Sequence, residues 1–138
     1  MALIVGGGQS GFGSGGTGGV GKTLNYIGDH CWAYSGEAQA DNSPGTIYLE
    51  FDTGSNYLIV SINCYNSVDD STKINWEFEL NSELIFQYTQ EGRAASMGIH
   101  MGQGNQILLP PYSKVKVTGI TPGSVTDAAV TLSGRVYA

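Results

Sequence analysis

Positive charge is scarce in this chain. Charged residues make up 13% of its 138 residues, and only six of them are Lys or Arg, against twelve Asp or Glu. The cations stand at positions 22, 73, 93, 114, 116 and 135, spread along the whole length. Affinity for nucleic acid rests on clustered cations that displace counterions from phosphates, so direct binding to DNA or RNA is not expected. The net charge of −6 also disfavours an anionic membrane surface. No apolar run approaches the roughly 20 residues of a membrane helix, and the apolar start at residues 1–5 is too short for the core of a secretory signal. The expectation is a soluble protein made in a cytoplasm. Cysteine is nearly absent too. Cys31 and Cys64 fall in strand-like segments, and a reduced, buried pair is expected, with a disulfide as the alternative. No segment of any length has helical periodicity, which excludes a helical bundle, and the length suits one domain.

Glycine, by contrast, is plentiful and unevenly placed. Ten of the sixteen residues at positions 6–21 are glycine, interleaved with Ser, Thr and Gln, and the larger apolar side chains there are Phe12 and Val20. Such a stretch cannot bury enough surface to offset the entropy of ordering it. Residues 1–23 are therefore expected to form a flexible N-terminal arm, and residues 24–138 the folded domain. Leu3, Ile4 and Val5 gain nothing in water. They are expected, with Phe12, to dock on a partner, as an added strand would.

From position 24 onward apolar residues alternate with polar ones in short segments broken by Gly, Pro, Asn and Asp. Residues 46–52 place Ile47, Leu49 and Phe51 inward and Tyr48, Glu50 and Asp52 outward. Residues 56–65 align Leu58, Val60, Ile62 and Cys64; residues 73–81 align Ile74, Trp76, Phe78 and Leu80, followed by Leu84, Phe86 and Tyr88 on an adjacent strand. Further strands are expected at 31–35, at 106–109, at 114–118 with Val115 and Val117 inward, and at 129–137 with Val130, Leu132 and Val136 inward. Pro110 and Pro111 mark an edge or a turn. About eight strands and no helix predict an all-β, antiparallel β-sandwich of jelly-roll type.

Three patterns suggest chemistry. Residues 16–23, GTGGVGKT, satisfy the phosphate-loop string G-x-x-x-x-G-K-[ST], but that loop works by leaving a buried strand and entering a helix whose amides cradle phosphate. Here a glycine-rich stretch precedes it and the strand-like LNYIGD follows. Glu50 and Asp52 form a same-face carboxylate pair like part of the E-x-D-x-x-E strand of certain β-sandwich glycoside hydrolases, yet position 55 holds Ser55; Glu77 and Glu79 form a second pair. A solvated sheet face accounts for both. His30 and His100 lack ligand-type spacing and are read as structural. No catalytic residue, cofactor or metal is expected.

The remaining candidates are aromatic. Trp32 and Tyr34 share one strand face, while Tyr48 and Tyr57 fall opposite the apolar stripes. Such rings serve in a core, at a subunit interface, or as a stacking platform for sugars. Four stretches, TLNYIGDHCWAYSG from Thr23, YLEFDTGSNYLIVSI from Tyr48, ILLPPYSKVKVTG from Ile107 and AAVTLSGRVYA from Ala128, together resemble the small capsid decoration, or cement, proteins of tailed phages, in particular those of cyanophages. The resemblance implies a non-enzymatic virion structural protein, synthesised in the host cytoplasm. It would be a homotrimer on the outside of the capsid that clamps subunits of the major capsid protein. A carbohydrate-binding module or lectin-like virion surface protein is the alternative.

Overall fold

In a computed structural model, residues 21–42, 44–66, 73–91, 99–100, 106–122 and 126–138 are described. The alternating segments form eleven strands: β1 Gly21–Ile27, β2 His30–Tyr34, β3 Ala38–Ala40, β4 Thr46–Asp52, β5 Tyr57–Asn66, β6 Lys73–Leu80, β7 Glu83–Glu91, β8 Ile99–His100, β9 Ile107–Leu109, β10 Lys114–Ile120 and β11 Thr126–Tyr137. They pair into two antiparallel sheets. The larger runs β1-β2-β11-β5-β8, with β3 on the far half of β11 and β9 beside β5; the smaller runs β4-β10-β6-β7. If β2 with β3 and β8 with β9 are each taken as one broken strand, the order is β2/3-β11-β5-β8/9 against β4-β10-β6-β7. That is jelly-roll connectivity, with β1 added at one edge. The arm residues Leu3, Ile4, Val5 and Phe12 lie outside the described residues.

Inward stripes from both sheets meet in one core that includes Leu49, Phe51, Leu58, Val60, Ile62, Ile74, Trp76, Phe78, Val115, Val117, Val130 and Leu132. Phe78 and Phe86 stack at 5.0 Å. Trp76 meets Tyr48 edge-on at 5.2 Å between ring centroids. Gly119 lies beneath this pair, where a Cβ would press on both rings.

Three expected orientations, those of Ile47, Tyr48 and Leu84, are overturned by two β-bulges, and Ile47, expected inward, lies outside the core. In β4, Leu49 pairs with Val117 but Ile47 pairs with Thr118, so Tyr48 is an extra residue. The bulge turns it inward, to 1% exposure, and its hydroxyl donates to the Ala38 carbonyl at 2.9 Å. Tyr48 is a core residue and is unavailable for an interface or a glycan. In β7, Phe86 pairs with Phe78 but Leu84 pairs with Glu79, leaving Ile85 extra. Leu84, expected inward, is 51% exposed; the inward stripe runs through Phe86 and Tyr88 to the buried Gln90. A bulge shifts the period-two pattern by one residue, so every side chain beyond it changes face.

The two cysteines are free and buried. Cys31 lies opposite Gly134 on β11, and Cys64 lies opposite Val130 of the same strand on its other side. They stand two strand spacings apart, about 9.5 Å, and about 13 Å along the strands, far beyond the roughly 7 Å between Cα atoms that a disulfide spans.

Candidate functional site

Turns gather at one end of the sandwich: β1–β2 around Gly28 and Asp29, β4–β5 around Gly54, β6–β7 at Asn81 and Ser82, and β9–β10 from Pro110 to Ser113. Hydrogen bonds tie them together. Buried Thr53 donates from its backbone N–H to the Ser113 carbonyl at 2.9 Å and from its hydroxyl to the Pro110 carbonyl at 2.7 Å, and accepts from the Ser113 N–H at 3.0 Å. The Tyr26 hydroxyl reaches the Thr53 carbonyl at 3.1 Å, so β1 is fastened to the same knot. The β6–β7 hairpin has a two-residue loop with positive φ at both Asn81 (54°) and Ser82 (69°), as type I′ geometry requires. Asn81 exchanges hydrogen bonds with the Lys114 backbone, its N–H donating to the carbonyl and its side-chain oxygen accepting from the N–H, each at 2.8 Å.

On this rigid end stands Tyr112. It has φ of 56°, a left-handed conformation that costs a non-glycine residue on the order of 1 kcal/mol or more, and its side chain is 80% exposed. Its N–H donates to the Gly54 carbonyl at 2.6 Å. Nearby, Tyr57 and Tyr137 pair across β5 and β11, and Leu108 pairs with Ile59. Tyr57, Tyr137, Leu108 and Ile27 are exposed, as are Leu84 and Ile85 on the hairpin strand β7. Among the described residues, seven of the nine large exposed apolar side chains thus collect at the turn end; Tyr34 and Tyr65 are the exceptions.

The outer face of the smaller sheet has a different chemistry. Glu50 on β4 and Glu79 on β6 flank Lys116 on β10. Lys114 Nζ lies 2.9 Å from Glu50, and Lys116 Nζ lies 3.2 Å from Glu79. The hydrogen bond and charge of Glu50, with the charge of Asp52 adding, raise the Lys114 pKa. One carboxylate of each same-face pair, Glu50 and Glu79, is thus held by a lysine, an arrangement suited to a solvated sheet face. A glycosidase needs one carboxyl free to carry a proton and a second free to attack or to activate water.

Other sequence patterns resolve in the same way. Gly21, Lys22 and Thr23 open strand β1, so the phosphate-loop string runs into an antiparallel strand with no helix N-terminus to present amides to phosphate. His30 pairs with Arg135, which pairs with Ile59, while His100 pairs with Asn63. The two histidines therefore stand three strands apart, about 14 Å sideways alone. Among the described residues no group of His, Cys, Asp and Glu could hold a metal ion, and no helix is long and apolar enough to cross a membrane.

Trp32 and Tyr34 share the outer face of β2, as expected, with Trp32 half-buried and Tyr34 exposed. An open groove of about 330 Å³ lies over Trp32, lined by His30, Tyr34, Ser133, Gly134 and Arg135. Two of these lining residues are ion-paired to Asp29, which lies 2.7 Å from His30 Nδ1 and 3.5 Å from Arg135 Nη1. Sequence reasoning found the two aromatics and missed Ser133 and Arg135, which reach the groove only through the pairing of β2 with β11. No protein-family model matches the chain, and no curated protein sequence matches it significantly.

Proposed function

We propose that the chain is a non-enzymatic attachment protein that binds the outside of a phage capsid and stabilises contacts between major capsid protein subunits. The single observation that carries this reading is Tyr112, an exposed ring held in a left-handed backbone conformation on a hydrogen-bonded knot of turns. Strain retained at an exposed aromatic indicates selection for position rather than for stability. Tyr57, Tyr137, Leu108 and Ile27 add exposed apolar surface at the same end, and interfaces are enriched in such aromatics. The turn end makes the rigid contact.

The N-terminal arm makes the second contact. Gly21 pairs with Tyr34, so the arm enters at the end of the sandwich opposite Tyr112, and the chain carries two attachment points at its two ends. Fifteen extended residues between Val5 and Gly21 reach on the order of 50 Å, enough for Leu3, Ile4 and Val5 to engage a neighbouring subunit. In a homotrimer, three arms act at high effective concentration even where each binds weakly.

The test is cosedimentation with phage shells that lack this chain. Deleting residues 2–20, which leaves β1 whole, is expected to leave a trimer by light scattering, with an unchanged melting temperature, that no longer pellets with shells. Undiminished pelleting removes the role of the arm, and a monomer in solution removes the trimer.

A further inference from the structure

We infer that the groove over Trp32 is a binding site for a neutral hexopyranose, a function separate from capsid attachment. The two tryptophans show why this ring calls for an explanation. Trp76 is buried, and its indole N–H donates to Gln90 Oε1 at 2.8 Å. Trp32 lies on an outer sheet face, flanked in register by Asn25 on β1 and Ser133 on β11. Both neighbours are small and polar, and the half-buried indole keeps part of its surface open.

The chemistry around it matches a sugar ring. The C–H face of a pyranose stacks on an indole, while its hydroxyls need donors and acceptors side by side at the rim. Arg135, which lines the groove, supplies a donor fork, and the Asp29 carboxylate ion-paired with it at 3.5 Å supplies an acceptor beside it, a spacing suited to vicinal hydroxyls. Ser133 and His30 add further polar groups along the wall. The carboxylate and guanidinium cancel in charge, and a chain of net charge −6 repels polyanions, so a neutral sugar is favoured over a nucleotide or a sulfated glycan. The platform is rigid because β2 is paired on both sides, to β1 and to β11, which lowers the entropy cost of binding.

The test follows the two indole N–H resonances of the intact chain in a ¹H–¹⁵N spectrum during titration with methyl glucoside, methyl galactoside, methyl mannoside and their disaccharides. At least one sugar is expected to move the Trp32 resonance saturably in the millimolar range, with that of Trp76 unmoved. Followed by saturation transfer to the same sugar, Trp32→Ala and Arg135→Gln are each expected to weaken binding by about tenfold or more. A fixed Trp76 resonance reports that the fold is intact. Three results would each overturn the inference: no movement with any of these sugars at hundreds of millimolar, full binding by Trp32→Ala, or a Trp32 resonance that shifts with protein concentration alone. The last would identify the face as a contact between copies of the chain.

Discussion

The two outer faces of the sandwich are built from the same alternating strands, yet they carry opposite chemistry. Over the smaller sheet, Glu50, Lys114, Lys116 and Glu79 form ion pairs across neighbouring strands. Over the larger sheet, the described outward side chains include Trp32, Tyr34, Tyr57, Ile59, Tyr65, Leu108 and Tyr137, with charge near Asp29, His30 and Arg135 at one end of β11 and at Asp127 toward the other. Exposed ion pairs contribute little to stability and keep a surface solvated. Exposed rings do neither, and their concentration on one sheet and one end is what the proposed attachment rests on. Folding alone does not demand this asymmetry.

The largest effect that would sharpen the contrast separates the two tryptophans. Trp76→Ala is expected to lower unfolding free energy by about 3–5 kcal/mol, whereas Trp32→Ala is expected to cost under about 1 kcal/mol; equal losses in urea denaturation would mean Trp32 belongs to the core. Next come two substitutions within the sheets, each between neighbouring strands. Gly134→Ala sets a methyl against the Ile59 carbonyl and Val60 backbone and is expected to cost about 1–3 kcal/mol or more. Gln90→Leu leaves the buried Trp76 N–H without its acceptor, a loss of about 1–3 kcal/mol; a neutral result for either would show that the local packing yields. Smallest is the charged face, where Lys116→Ala is expected to change stability by no more than about 1 kcal/mol, and less in high salt.

Alkaline pH probes the core between the faces. Burial raises the thiol of Cys31 to about 11 and that of Cys64 to about 12, from an ordinary value of 9.0; it also raises Tyr26 to about 12. Each folded-state value exceeds its unfolded one, so the folded chain binds more protons once pH passes 9. Stability is therefore expected to be insensitive to these groups below pH 9 and to fall progressively between 9 and 12. At pH 8 both native thiols should resist iodoacetamide until urea unfolds the chain. Rapid native alkylation of either would contradict its burial.

Much of the fold was legible because alternation holds wherever pairing is regular. Residues 56–65 and 114–118 read correctly, since β5 and β10 keep one face inward along almost their whole length. Tyr48 and Leu84 were misplaced because a bulge inserts one residue without any local mark in the sequence. The turn knot was equally hidden: Thr53 bonds to residues 57 and 60 positions away, and nothing near Thr53 announces those partners. Asp29 and Arg135 come together only once the last strand lies beside the second. Short-range pattern thus gives strands and stripes, while sites made by strand order become visible only in the folded chain.

The most direct measurement compares two double variants in cosedimentation with phage shells, each first checked for an unchanged melting temperature. Tyr57→Ala with Tyr112→Ala removes rings from the turn end, and Lys114→Ala with Lys116→Ala strips cations from the opposite, charged face. The tyrosine pair is expected to weaken shell binding by about a hundredfold, the loss typical of two interface hot spots, while the lysine pair binds as the parent chain does. Loss of binding in the lysine variant with the tyrosine variant unaffected would contradict attachment through the aromatic end.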